Sequence, residues 1–177
     1  MKRILFVSNH LRHTCGITSH LYYLAKELQQ ETDIQFVFLC GGGDAVDKFI
    51  AAGWRVEIVP SVMHETRSMA GFLQGVFQLR RLISAISPDV IHSHHYYAAN
   101  IVSFAARFKP IVRIQTIHGL IPPAGRLPHY NAHRYIGVNP HITEELSKQK
   151  QIGSGKVTTI PCGYPFAEGT ELKKVTH

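Results

Sequence analysis

A glycine-ended loop and two groups of histidines carry the chemistry this chain could perform. The loop is Asn9-His-Leu-Arg-His-Thr-Cys-Gly16. It ends where apolar residues begin to recur with helical spacing, at Ile17, Leu21, Leu24, Ala25 and Leu28. A helix starting there turns its first unpaired N–H groups toward the loop, and Gly16 lets a ligand approach them. The dipole of such a helix start favours an anion by about 0.3–1 kcal/mol, so a phosphate-bearing ligand is the first expectation. A plain alternative is a glycine that merely eases a strand-to-helix turn, and the dinucleotide fingerprint of three spaced glycines is missing. The histidines lie in His92-Ser-His94-His95 and His118-Gly119. Imidazoles so close together invite a metal reading. Strand periodicity argues against it, because His92 and His94 share a face while His95 points away, and no carboxylate is near in sequence. No metal is expected, and His92 reads as a buried, locally hydrogen-bonded histidine.

These groups need a frame. Arg3 to Ser8 is a short apolar run of the kind found in a strand covered on both faces. Further strands are expected at 33–40, 54–59, 89–93, 110–117, 135–138 and 156–160. Helices fall between them: a short one at 44–52 with Asp44 at its start and Gly53 past its end, then 69–86, 98–108 and one beginning at Asn139-Pro140. Ser87-Pro88 closes the long helix, since a residue before proline avoids the helical region. Strands alternating with helices predict an α/β fold, a Rossmann-like doubly wound parallel sheet of about seven strands with helices on both faces. Ligands bind beyond the carboxyl ends of such strands, where strand order reverses. That rule gathers the loops after the first, fourth and fifth strands, with His10, Arg12, His13, Gly16, His94, His95, Tyr96, His118 and Gly119.

Composition narrows the classes. With 177 residues, 45% hydrophobic and 18% charged, one soluble globular domain is expected. The formal charge of +7 is spread along the chain, and no basic block singles out nucleic acid. Three cysteines without metal-type spacing suit reduced thiols in a cytoplasmic protein. No apolar run approaches the ~20 residues of a membrane span.

Taken together, the stretch Ile4–Leu28, Pro88-Asp-Val-Ile-His-Ser-His94, Gln115-Thr-Ile-His-Gly119, Gly137-Val-Asn-Pro140 and Val157-Thr-Thr-Ile-Pro-Cys-Gly163 resemble the N-terminal half of a family 4 glycosyltransferase of the GT-B fold. The resemblance implies residues 1–163 as the acceptor-side domain and 164–177 as a linker or tail toward a C-terminal donor-binding domain. It implies a retaining transfer from a nucleotide-sugar, which is a co-substrate, with no cofactor. Gly16 would approach the donor phosphates with Ile17 beside it. The pair His118 and Gly119 would lie at the donor, with His118 as the catalytic candidate near the sugar. Arg12, His13, Arg67, His94, Tyr96 and Arg126 would face a sugar or lipid acceptor, although a solvated surface role explains each arginine as well. Two departures stand out: Cys15 where the family often has a second glycine, and Cys162 and Pro165 where its tail usually carries asparagine and an acidic residue. His20 reads as a packing residue on the first helix. The helix at 69–86, ending with Arg80 and Arg81, packs on the sheet or lies against the inner face of a membrane. A non-catalytic module binding a nucleotide or sugar phosphate is the alternative. A nicotinamide oxidoreductase fits poorly, since Cys40-Gly-Gly-Gly43 stands where an acidic residue would hold the ribose.

Overall fold

The structure, a computed structural model, describes residues 1–31, 33–119, 130–153 and 155–163. The tail at 164–177 and the proline-containing loop at 120–129, with Arg126, lie outside the described residues. Among the described residues the strands are β1 (Lys2–Val7), β2 (Ile34–Cys40), β3 (Arg55–Ile58), β4 (Val90–Ser93), β5 (Val112–Ile117), β6 (Arg134–Gly137) and β7 (Val157–Thr159). They form one sheet in the order β3-β2-β1-β4-β5-β6-β7, every pair parallel. The helices are α1 (Gly16–Glu31), α2 (Val46–Ala51), α3 (Met69–Ile86), α4 (Tyr96–Ala105) and α5 (Pro140–Ser147). Strand order turns back between β1 and β4, which is where the fold leaves a crevice.

Alternation along the strands divides the core. Leu5, Val7, Val37, Leu39 and Ile91 pack against α3 and α4 through Leu79, Ile83, Ile101 and Val102. Phe6, Phe36 and Phe38 point the other way, onto Leu21, Phe49 and Trp54. On that face the Phe6 and Phe38 rings stack with centroids 5.3 Å apart, and the Trp54 indole N–H donates to Gln29 Oε1 at 2.9 Å. Each such buried aromatic removes enough apolar surface to contribute about 1.5–3 kcal/mol.

The helix ends follow their sequence signals closely. Ser68 caps α3 by accepting from the Gly71 N–H at 3.0 Å, and Asn139 caps α5 by accepting from Ile142 at 2.8 Å with Pro140 in the first turn. Ser87 ends α3 before Pro88 as expected, in the left-handed region (φ 51°). Asp44 is not the cap of α2. That helix starts after Ala45 without a side-chain cap, and Asp44 Oδ1 instead accepts from the His13 N–H at 2.9 Å. Helix α4 begins two residues earlier than expected, at Tyr96, because His95 in extended conformation serves as its N-cap.

The loops after β1 and β2 are fastened together. Leu11 donates its N–H to Gly42 O at 2.9 Å and accepts from the Ala45 N–H at 3.0 Å, while Gly41 N–H reaches Asn9 O at 2.9 Å. Only a glycine fits at 43, where φ is +135° and a Cβ would lie 1.9 Å from Leu11 O. Gly42 has a similar φ of +126° but faces open space. Gly43→Ala should therefore destabilise the protein clearly more than Gly42→Ala. The strain common to both is about 1–3 kcal/mol, and the clash with Leu11 adds to it at 43 alone. Equal urea midpoints for the two variants would contradict the fastening.

Candidate functional site

At the carboxyl ends of β1, β4 and β5 lies a cleft of about 640 Å³. One wall is the start of α1. Its first intrahelical bond is accepted by Cys15 O from the Ser19 N–H, so the N–H groups of Gly16 and Ile17 belong to the unpaired first turn. The other wall is the end of β5, with Thr116, His118 and Gly119. The glycines in these walls differ from those that the fold requires. Among the described residues a Cβ added at Gly16 or Gly119 would meet nothing within 4 Å, and neither has a positive φ. At Gly137, by contrast, a Cβ would lie 2.4 Å from Thr143 Oγ1.

Between the walls stands a column of imidazoles. β4 pairs with β1 so that His92 lies beside Phe6, and the period of two brings His94 to the same face, the ring centroids of the two histidines 4.2 Å apart. His92 is buried, with Nε2 on Thr116 Oγ1 at 2.7 Å. His94 is buried as well, with Nδ1 3.0 Å from His118 Nε2. Burial and the neighbouring histidines push His94 well below the usual imidazole pKa, and burial takes His118 down to about 4 and His92 to about 3. At neutral pH the column is therefore uncharged. His118 Nδ1, on the far side of its ring, is 3.6 Å from Cys162 Sγ. If His94 donates from Nδ1, His118 accepts at Nε2 and keeps its proton on Nδ1, where a weak thiol partner can give way to a ligand oxygen.

Among the described residues the cleft lining contains no carboxylate, lysine or arginine. The anion-attracting groups here are helix amides and neutral ring N–H donors.

The structure brings Gly16, Ile17, His118, Gly119, Tyr96 and the buried His94 to this one crevice. Arg12 and His13 stand exposed on the loop after β1 and do not line it. Arg67 lies in a different place. It rims a second, apolar groove of about 550 Å³ between α3 and α4, with Met69, Phe72, Tyr97 and Phe104. A polar network joins the two regions: Asn9 Nδ2 donates to Glu65 Oε2 at 2.9 Å, and His64 bonds both the Tyr96 hydroxyl and Arg67 Nη1. Two features went unread in the sequence. His20 packs with one edge on the core but shows its ring to the cleft, 5.1 Å from His118 between centroids. The groove between α3 and α4 is the other. Helical period placed His20 on the inner face of α1; only the sheet's end, which sequence does not display, turns that position into a site.

Comparison with known proteins adds to this. The sequence model of Glycosyltransferase Family 4 matches residues 14–168. No curated protein sequence matches the chain. Among solved structures, a glycosyltransferase from Rickettsia africae superposes with a TM-score of 0.74 at 15% identity, over 90% of this chain and 43% of its own. MurG from Acinetobacter baumannii gives 0.69 at 15% identity, over 96% and 47%. A UDP-GlcNAc 2-epimerase from Neisseria meningitidis, bound to UDP-GlcNAc, gives 0.62 at 15% identity, over 89% and 45%. The chain thus spans about half the length of these structures, and at such identities the likeness is one of fold.

The imidazole column has a direct test. Thr116→Val is nearly isosteric and strands the buried His92 Nε2, so it should lower stability by about 1–3 kcal/mol, read as a lower urea midpoint at unchanged slope. No change would mean that His92 has another partner.

Proposed function

Because this chain belongs to glycosyltransferase family 4, we propose that it forms one wall of a retaining glycosyltransferase, the wall on which the donor's diphosphate and sugar rest during transfer. The observation that carries this is the pair of unforced glycines. Gly16 and Gly119 answer no steric or backbone demand of the fold, yet both line the cleft that holds His118. Bare backbone at those positions suits a ligand that must come within hydrogen-bond reach of main-chain N–H groups. A nucleoside diphosphate leaving group gains negative charge as the glycosidic bond breaks, and amides fixed at the start of α1 meet it without reorganising. His118, neutral and held by His94, donates to a sugar hydroxyl and so fixes the ring for attack. No residue of this chain is asked to act as a nucleophile, and transfer needs no metal or cofactor. The chain covers only 43% and 47% of two solved structures it resembles, which supports a second domain that supplies charge to the diphosphate and grips the base.

The acceptor lies toward α3 and α4. Along the outer face of α3, Met69, Leu73 and Phe77 are 77%, 61% and 62% exposed at a spacing of four residues. The inner face of the same helix buries Leu79, Ile83 and Ile86, so α3 packs on the sheet and still presents an apolar stripe outward. Exposed Arg67, Arg80 and Arg81 accompany the stripe. An apolar groove beside a basic, apolar helix face suits a lipid-borne acceptor at an anionic bilayer surface, with Arg67 and Tyr96 between lipid and cleft. No helix of the described residues is long and apolar enough to cross a membrane, so contact would be peripheral. The three unpaired cysteines suit the cytoplasmic side.

The transfer reading is tested on the longest natural form of the protein with a panel of nucleotide-sugars and sugar or lipid acceptors. Gly16→Val and His118→Ala should stay folded, since a side chain at 16 meets open space among the described residues and the ring at 118 lies at the cleft, where its loss gives up the contacts with His94 and His20 but none of the hydrophobic core. Each should lose transfer by about 10²-fold or more. Full activity in both variants overturns the site, and binding of nucleotide-sugar without any transfer supports the non-catalytic alternative. The membrane contact is tested by sedimentation with phosphatidylglycerol vesicles. Binding should weaken with salt and fall about tenfold or more in Leu73→Glu/Phe77→Glu, because each change replaces buried apolar area with like charge to the lipid. Equal binding of wild type and double variant would remove the lipid surface.

A further inference from the structure

We propose that His20, His94 and His118 form a binding site for a single zinc-class cation. One ring nitrogen from each of the three lies within 4.8 Å of the other two. Bonds of about 2.0–2.1 Å to a tetrahedral ion place ligand nitrogens roughly 3.3 Å apart. His94 Nδ1 and His118 Nε2 are already 3.0 Å apart. The adjustment falls on His20, whose ring stands half-buried at the cleft edge of α1, while β4 and the end of β5 hold the other two.

A second observation points to a ligand. His94 Nε2 is buried and has no hydrogen-bond partner among the described residues. The cation takes the other nitrogen, Nδ1, which faces His118; the unpaired Nε2 marks His94 as a ring that its described surroundings do not fully satisfy. The donor set also selects the ion. Three imidazoles with no carboxylate in the lining favour zinc, cobalt, nickel or copper over magnesium or calcium. Three protein ligands leave a fourth position open toward the cleft, for water or a ligand oxygen. The histidines that sequence spacing suggested, 92, 94 and 95, are not the set. His92 is committed to Thr116, His95 caps α4, and the third ligand comes from α1.

The site goes beyond the transfer proposal and does not depend on it: the cation would replace the His94–His118 hydrogen bond that transfer uses, and its readout is metal binding. Chelator-treated protein is titrated with Co²⁺ and followed by visible absorption. One equivalent should give the intense bands of tetrahedral cobalt, and one equivalent of Zn²⁺ should abolish them. His94→Ala risks misfolding, so the ligands are tested as His20→Ala and His118→Ala, each with circular dichroism of the wild-type form. Each should weaken binding about tenfold or more. His64→Ala, which removes a histidine of the neighbouring polar network, should leave it within twofold. Absence of the tetrahedral bands in wild type overturns the site. So does binding that survives both ligand variants, or binding lost in His64→Ala instead.

Discussion

The cleft depends first on the backbone of Leu11. Its N–H and its C=O are both spent on the loop after β2, and its side chain is 1% exposed in the core. A loop pinned at main chain and side chain together has little freedom left, and each hydrogen bond contributes about 0.5–1.5 kcal/mol net. The run Gly41-Gly-Gly43 is what allows the two loops to come that close, and Asp44 adds its bond to the His13 N–H. Gly41 and Gly43 therefore serve packing. Among the described residues the glycines of the cleft lining that packing leaves free are those at 16, 119 and 163.

Behind that rim, burial decides the chemistry. A charged imidazole at the depth of His92 or His94 would have to be paired, and no acid is within reach, so both rings are neutral. Neutrality makes the column a relay of fixed hydrogen-bond directions from Thr116 to His92, and separately from His94 to His118 and its outward Nδ1. The aromatic face of Phe6, with centroids 5.5 Å from His92 and 5.8 Å from His94, supplies the apolar surroundings that keep it so. Phe6 on β1 thereby contributes to the burial that keeps the histidines of the neighbouring strand uncharged.

Much of this was legible in the sequence. Buried parallel strands read as apolar runs, and α3 was readable to its end residues because a long amphipathic period met a serine on one side and Ser87-Pro88 on the other. The shared face of His92 and His94 follows from a period of two, and the gathering of Gly16 with His118 follows from a rule about parallel sheets. What was not legible lies between elements. The exposed positions of Arg12 and His13 depend on how the Leu11 clasp tilts the loop, and Asp44 left its helix for that same loop. The outward stripe of α3 was hidden because sequence shows that Met69, Leu73 and Phe77 are apolar but not that the inner face is already filled by Leu79, Ile83 and Ile86.

The absence of charged side chains from the cleft lining, among the described residues, has a consequence for the proposed transfer. Amides at the start of α1 contribute about 0.3–1 kcal/mol toward a surface-exposed anion, up to ~2 in partly buried geometry. At 1.36 kcal/mol per tenfold in rate, that is at most about thirtyfold, far short of what enzymes supply. A neutral wall holds the sugar by direction rather than by charge. In the proposed transfer most of the stabilisation of the growing charge therefore comes from groups other than these amides.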